Sequence, residues 1–112
     1  MIHISMPIRT VSEANTREHW GKRSKRAREQ RQAAFIMVRN AIGKTTFELV
    51  KPIVIKLVRV GKRKLDGDNL SRSFKAIRDG VCDAIGYDDG AECLRFVYGQ
   101  RKGEYSVDVF IC

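Results

Sequence analysis

The sequence predicts an α/β (α+β) domain: one layer of mixed β-sheet of about four strands carrying two helices, in the order β-α-β-α-β-β. Three observations lead there. The stretch Pro52 to Val60 is apolar or β-branched at Ile53-Val54-Ile55, Leu57-Val58 and Val60, a pattern apolar on both faces that fits a central strand. Leu70, Phe74, Ile77, Val81 and Ile85 recur at i, i+4, i+7, i+11 and i+15, the stripe of a helix with one buried face. The carboxyl-terminal Tyr105, Val107, Val109 and Ile111 alternate as one face of a strand does. With 112 residues, 43% of them hydrophobic, the chain is expected to form a single domain around one modest core.

In chain order, Ile2 to Ile8 reads as a short strand with Ile2, Ile4 and Met6 on one face, and Pro7 marks an edge position or the strand exit. The polar segment from Ser12 to Gly21 reads as a loop or irregular turn and holds the only tryptophan, Trp20. From about Arg23 to Ile42 no Gly or Pro interrupts a helix whose apolar stripe is Ala34, Met37, Val38, Ala41 and Ile42, and Gly43 ends it. After the central strand, Asp68 or Asn69 is expected to cap the second helix, which runs to about Ile85, with Gly86 as a left-handed C-cap and Tyr87-Asp88-Asp89-Gly90 as a turn. The tail reads as a hairpin in which Leu94 to Arg101 pairs with Tyr105 to Cys112 across Lys102-Gly103.

Composition excludes several classes. No apolar run reaches the roughly 18 residues that span a bilayer. The first seven residues lack the basic and long apolar regions of a signal peptide. The three cysteines, Cys82, Cys93 and Cys112, have no C-x-x-C spacing and are expected to be free thiols in a reducing cytoplasm. The net charge of +9 is unevenly spread: residues 1–64 hold 16 Lys+Arg against 4 acids, and residues 65–112 hold 6 against 9. A basic half joined to an acidic half suits a polyanion-binding surface beside a cation-binding site, although plain solubility charge gives the same total.

The chemistry concentrates at Asp66-Gly67-Asp68-Asn69, directly after the basic run Lys62-Arg63-Lys64. Carboxylates this close repel one another unless a cation sits on them, and Mg²⁺ is a hard cation that takes such oxygen ligands. A helix cap explains one polar residue there but not three. Leu70 at the next alternate position, no glycine at the sixth place and Ile77 at the twelfth rule out an EF-hand loop. Two carboxylates form half of a site, and the other half is expected from Asp88-Asp89, reached either by the chain folding back or across a subunit interface. Asp68, Arg72, Lys75, Asp79 and Asp83 share one helix face. There a lysine would neutralise charge on a reacting phosphate, while the plain alternative is a solvated face of ion pairs, Asp68–Arg72 and Lys75–Asp79. Gly43-Lys44-Thr45 is not a phosphate loop, because Val38 stands where its first glycine belongs. His3 and His19 have no nucleophile that the sequence can nominate as a partner.

The run Asp66-Gly67-Asp68-Asn69-Leu70, a following helical lysine and the pair Asp88-Asp89 together resemble the RusA-type Holliday junction resolvases, many of them phage-encoded. The segment Ser12 to Trp20 is similar to the asparagine- and tryptophan-bearing stretch of that family's phage branch. The resemblance covers nearly the whole chain and implies a Mg²⁺-dependent endonuclease, with Mn²⁺ as an alternative metal, acting as a homodimer on branched DNA such as a four-way junction in recombination and repair. It implies a cytoplasmic protein of bacterial or phage origin. By this resemblance Asp66, Asp68 and Asp89 match the essential acids, Asp88 joins them as a metal ligand, and Lys75 fills the lysine role. The family lysine usually stands one turn after the D-x-D-N element, where this chain has Arg72. The expected DNA contacts are Asn15, Arg17, His19, Trp20, Lys22, Arg23, Lys62, Arg63, Lys64, Asn69 and Arg72. A non-catalytic basic nucleic-acid-binding protein, whose aspartates only cap and pair, is the main alternative, and an RNA-binding toxin-like or regulatory protein is the second.

Overall fold

A computed structural model of the chain describes residues 2–10, 20–43, 52–88 and 90–112. Its elements are β1 (Ile2–Met6), α1 (Trp20–Ile42), β2 (Ile53–Gly61), α2 (Gly67–Ser73), α3 (Lys75–Ile85), β3 (Leu94–Lys102) and β4 (Ser106–Ile111). The α+β class and the mixed four-stranded sheet are as expected from the sequence, and β2 is an interior strand. Ile53, Ile55 and Leu57 lie on one face of β2 and are fully buried. The same sheet face carries Ile4 and Met6 of β1 and Val107, Val109 and Ile111 of β4, and it packs with Ala34 and Val38 of α1 and Phe74, Ile77 and Val81 of α2–α3. Ala41, expected in the α1 stripe, is exposed. Among the described residues no helix covers the opposite sheet face, which bears exposed His3, Lys56 and Val97. No helix among the described residues is long and apolar enough to cross a membrane.

The expected hairpin is not formed. The sheet order is β1-β4-β2-β3, so β3 and β4 lie on opposite sides of β2. β3 pairs with β2 in parallel, Ile53 with Leu94 through Gly61 with Lys102, while β4 pairs antiparallel with both β2 and β1. Alternation reports which face of a strand is buried and is silent about its neighbour, which is why the tail looked like a hairpin. The parallel pair has the helical crossover such a pair requires, in α2 and α3. The link from Lys102 to Ser106 crosses the end of β2, two strand spacings or about 10 Å, within the reach of four residues. Gly103 N–H donates to Gly61 O at 3.1 Å on the way. A Cβ on Gly103 would lie 2.8 Å from Val60 Cγ1, so the crossing runs at a distance only glycine tolerates.

The second helix is also broken where one continuous helix was expected. Phe74, at φ −94° and ψ −2°, separates α2 from α3, and its N–H turns to Ser71 O, three residues back, at 3.2 Å. Ser73 Oγ donates to Leu70 O at 2.7 Å, and a serine bonding back to the preceding turn bends helices. Gly86 ends α3 in the left-handed region at φ 80°, as the sequence predicts. α1 lies against α3 at Gly80, where a Cβ would meet Arg31 O at 2.3 Å. Arg31 then reaches Asp83 with a two-pronged ion pair of 2.7 and 3.0 Å. That guanidinium holds the Asp83 carboxyl below the usual carboxylate range.

Candidate active site at the end of the central strand

β2 ends at Gly61, and the exposed basic run Lys62-Arg63-Lys64 follows. The turn is nonetheless firmly held, by two side chains that share a level of the sheet: Arg59 of β2 and Gln100 of β3 are register partners. Arg59 Nη1 donates to Arg63 O at 2.6 Å. Gln100 makes a reciprocal pair with the next residue but one: Leu65 N–H donates to Gln100 Oε1 at 2.9 Å, and Gln100 Nε2 donates to Leu65 O at 2.7 Å. Both donors and acceptors of one backbone unit are therefore occupied by one amide. The carboxylate turn begins one residue later.

Asp66, rather than Asp68 or Asn69, caps α2. Its backbone is extended (φ −68°, ψ 166°) and its Oδ1 accepts from Asn69 N–H at 3.2 Å. Gly67 already belongs to the helix, which places the cap at the residue before it, two or three positions upstream of those expected. Asp68 falls in the first turn, where a negative charge is favoured by the exposed N–H groups. Asp66 and Asp68 are both exposed, and Asn69 is half-buried. Of the two ion pairs expected along the helix face, Lys75 Nζ bonds Asp79 Oδ1 at 3.1 Å. Among the described residues no ion pair joins Asp68 to Arg72.

The chain folds back just before Asp88. Tyr87 N–H and Gly86 N–H both bond Cys82 O, at 3.2 and 2.9 Å, which folds the chain against the end of α3. A cavity of about 260 Å³ results, lined by Lys75, Asp79, Asp83 and Asp88 together with Arg31. Asp88 and Lys75 thus line one cavity. Even so, among the described residues no three of His, Cys, Asp and Glu form a group able to hold a metal ion. Leu94 opens β3 opposite Ile53, so the chain carrying Asp88 enters the sheet at the end opposite the one that Asp66 leaves. Asp89 lies outside the described residues, as do Asn15, Arg17 and His19.

Of the other expected DNA contacts, Trp20 begins α1 with 73% of its surface exposed, outside the core. Lys22 and Arg72 are exposed and Arg23 is half-buried. His3 lies on the open sheet face, stacked on Phe110 at 4.4 Å with its Nε2 3.3 Å from Asp108 Oδ1. There Asp108 also accepts from Arg101 at 3.0 Å. Burial pushes the Asp108 carboxyl up, and hydrogen bonds from Arg101, His3 and Ser5 outweigh it, leaving the group below its usual value. The three cysteines are free thiols.

Sequence reasoning missed Arg59 and Gln100. Arg59 did carry a signal: it continues the buried face Ile53, Ile55, Leu57 with a charge, and is only 5% exposed. Its Nε is buried and has no hydrogen-bond partner among the described residues. Gln100 carried none, because its role depends on the parallel register.

No family model matches the chain, and no solved structure matches it. A protein of Xylella fastidiosa (strain Temecula1 / ATCC 700964), described as an uncharacterized protein, is 35% identical over 79 residues. The match takes in 67% of this chain and spans 51% of the Xylella protein, about half its length.

Proposed function

We propose that the chain is a Mg²⁺-dependent structure-selective endodeoxyribonuclease of the RusA type, which cuts four-way junctions or related branched DNA as a homodimer inside a reducing cytoplasm. The observation that carries this reading is the clamped turn. Two exposed carboxylates sit on a loop fixed by Arg59 and Gln100, with three exposed cations immediately upstream. A helix cap needs one carboxylate and no clamp.

The oxygen donors of Asp66 and Asp68 fit a hard divalent ion, which takes one or two carboxylates and completes its shell with water and substrate phosphate. Such an ion supplies an activated water and charge neutralisation at the phosphodiester. The protein's own part is positional. Lys62, Arg63 and Lys64 attract the backbone, the clamp keeps Asp66 and Asp68 in place, and Lys75 offers a cation for the developing charge or a proton for the leaving oxygen. Asp79 holds Lys75 by its ammonium. In this reading Asp88 and Asp89 complete the acid set from the partner subunit of a two-fold dimer, since within one chain the segment carrying Asp88 enters the sheet at the end opposite Asp66. The near two-fold symmetry of a junction matches a dimer that presents two such sites.

The alternative of a basic nucleic-acid-binding protein without catalysis has one observation in its favour: Asp66 is in use as a cap, and the described acids form no three-membered group. Asp68→Asn separates the two. The nuclease reading expects unchanged affinity for a four-way junction and loss of cleavage by at least about 100-fold, a few kcal/mol of transition-state stabilisation. Full cleavage by the variant removes Asp68 from the chemistry.

A further inference from the structure

The contact at Gly80 shapes more than the core. On its amino-terminal side, α1 and α2–α3 leave a cleft of about 370 Å³ between them. Its small residues, Ala27 from one helix and Ala76 from the other, let a ligand approach both backbones. Around them stand Arg28, Arg31, Arg72 and Lys75, with Asp79 as the sole acid of the lining. Lys75 is engaged by Asp79 and Arg31 by Asp83. Arg28 and Arg72 are exposed and have no ion-pair partner among the described residues. The concavity therefore carries an unbalanced positive charge on two separate helices, the arrangement that focuses field on an incoming anion.

We propose that this cleft seats the sugar-phosphate backbone of one DNA strand, and that Lys75, which lines both this cleft and the cavity holding Asp88, hands that strand to the carboxylates. The volume, at the low end of the roughly 300–1,000 Å³ typical of ligand pockets, suits the backbone of a single strand. The guanidinium forks of Arg28 and Arg72 suit phosphate oxygens, which they grip in pairs. The strand's destination rests on the nuclease reading. The affinity of the cleft for a backbone does not.

The test measures binding of the full chain to a labelled four-way junction in EDTA, across a KCl series, for the wild type, Arg28→Ala/Arg72→Ala and Ala27→Glu. Each lost phosphate contact lowers the slope of log affinity against log salt by about 0.7–0.9, so the double variant is expected to lose about 1.4–1.8. Ala27→Glu, an exposed position that favours helix, is expected to weaken binding while its melting temperature stays put. Unchanged slope and affinity in both variants overturn the proposal. Competition by inorganic tripolyphosphate that vanishes in the double variant while DNA binding stays intact also overturns it, in favour of a small-anion site. If the slope falls but the wild type never cuts DNA with Mg²⁺, the cleft stands and the nuclease reading fails. If cutting is intact and the slope is unchanged, the reverse holds.

Discussion

Gln100→Ala tests whether the carboxylate turn is held as described. The substitution removes two hydrogen bonds, of 2.9 and 2.7 Å, both made to the backbone of Leu65. A hydrogen bond contributes about 0.5–1.5 kcal/mol net, and a backbone group left buried without a partner costs about 1–3. Leu65 is half-buried, so water replaces part of what is lost. The expected destabilisation is therefore about 1–2 kcal/mol, toward the lower end of those ranges. In a domain of 112 residues each kcal/mol moves the melting temperature by about 3–6 °C, giving a fall of about 3–12 °C. Thermal unfolding by circular dichroism reads it directly. Gln100→Glu refines the test: a carboxylate still accepts from Leu65 N–H but meets Leu65 O with no proton to donate, so it is expected to fall at least as far as alanine. Both variants are expected to lose cleavage more than junction binding, because the basic run remains while the acids move. Melting temperatures within about 1 °C of wild type for both variants would refute the clamp.

Three further outcomes follow from the packing and the charges. Gly80→Ala forces a methyl to 2.3 Å from Arg31 O, which backbone cannot yield to; overpacking of about 1–3 kcal/mol outweighs the roughly 1 kcal/mol of helix propensity gained, and denaturant unfolding should show a net loss. Gly67→Ala meets nothing within 4 Å and is expected to be neutral or to gain up to about 1 kcal/mol by the same assay, so equal behaviour of the two would contradict the helix contact. Asp108 has a folded pKa below its ordinary value of about 3.9, so its contribution is complete above that value and is lost as pH falls through the lower, folded one. Asp108→Asn should flatten the acid limb of a stability-against-pH curve below about pH 4, and an unchanged limb would deny the network of Arg101, His3 and Ser5.

What could be read from the sequence was whatever depends on periodicity. Burial of Leu70, Phe74, Ile77 and Val81 followed from their spacing, and the interior position of β2 followed from apolar residues on both its faces. Pairing was hidden. Val107, Val109 and Ile111 alternate in the same way whether their neighbour is β3 or β2, so the hairpin and the three-strand arrangement around β2 look alike until the crossing at Gly103 is seen. The break at Phe74 was hidden too, since the apolar stripe runs through it without a change of phase large enough to mark. At the site, the acids, the basic run and Lys75 were visible as residue types. The clamp was not, because Gln100 lies 35 positions from Leu65 and reaches it only through the parallel register.

The central claim is that the turn Asp66-Gly67-Asp68 takes part in metal-dependent cutting. The most direct measurement incubates the full chain with a four-way junction and with a linear duplex of the same sequence, each with Mg²⁺ and with EDTA, and maps the nicks. The account predicts paired, symmetric nicks in the junction with Mg²⁺ alone, none in the duplex, and none for Asp68→Asn. An intact junction across Mg²⁺ and Mn²⁺, bound by the protein with an affinity indifferent to both, would contradict it and leave the turn as the cap of α2.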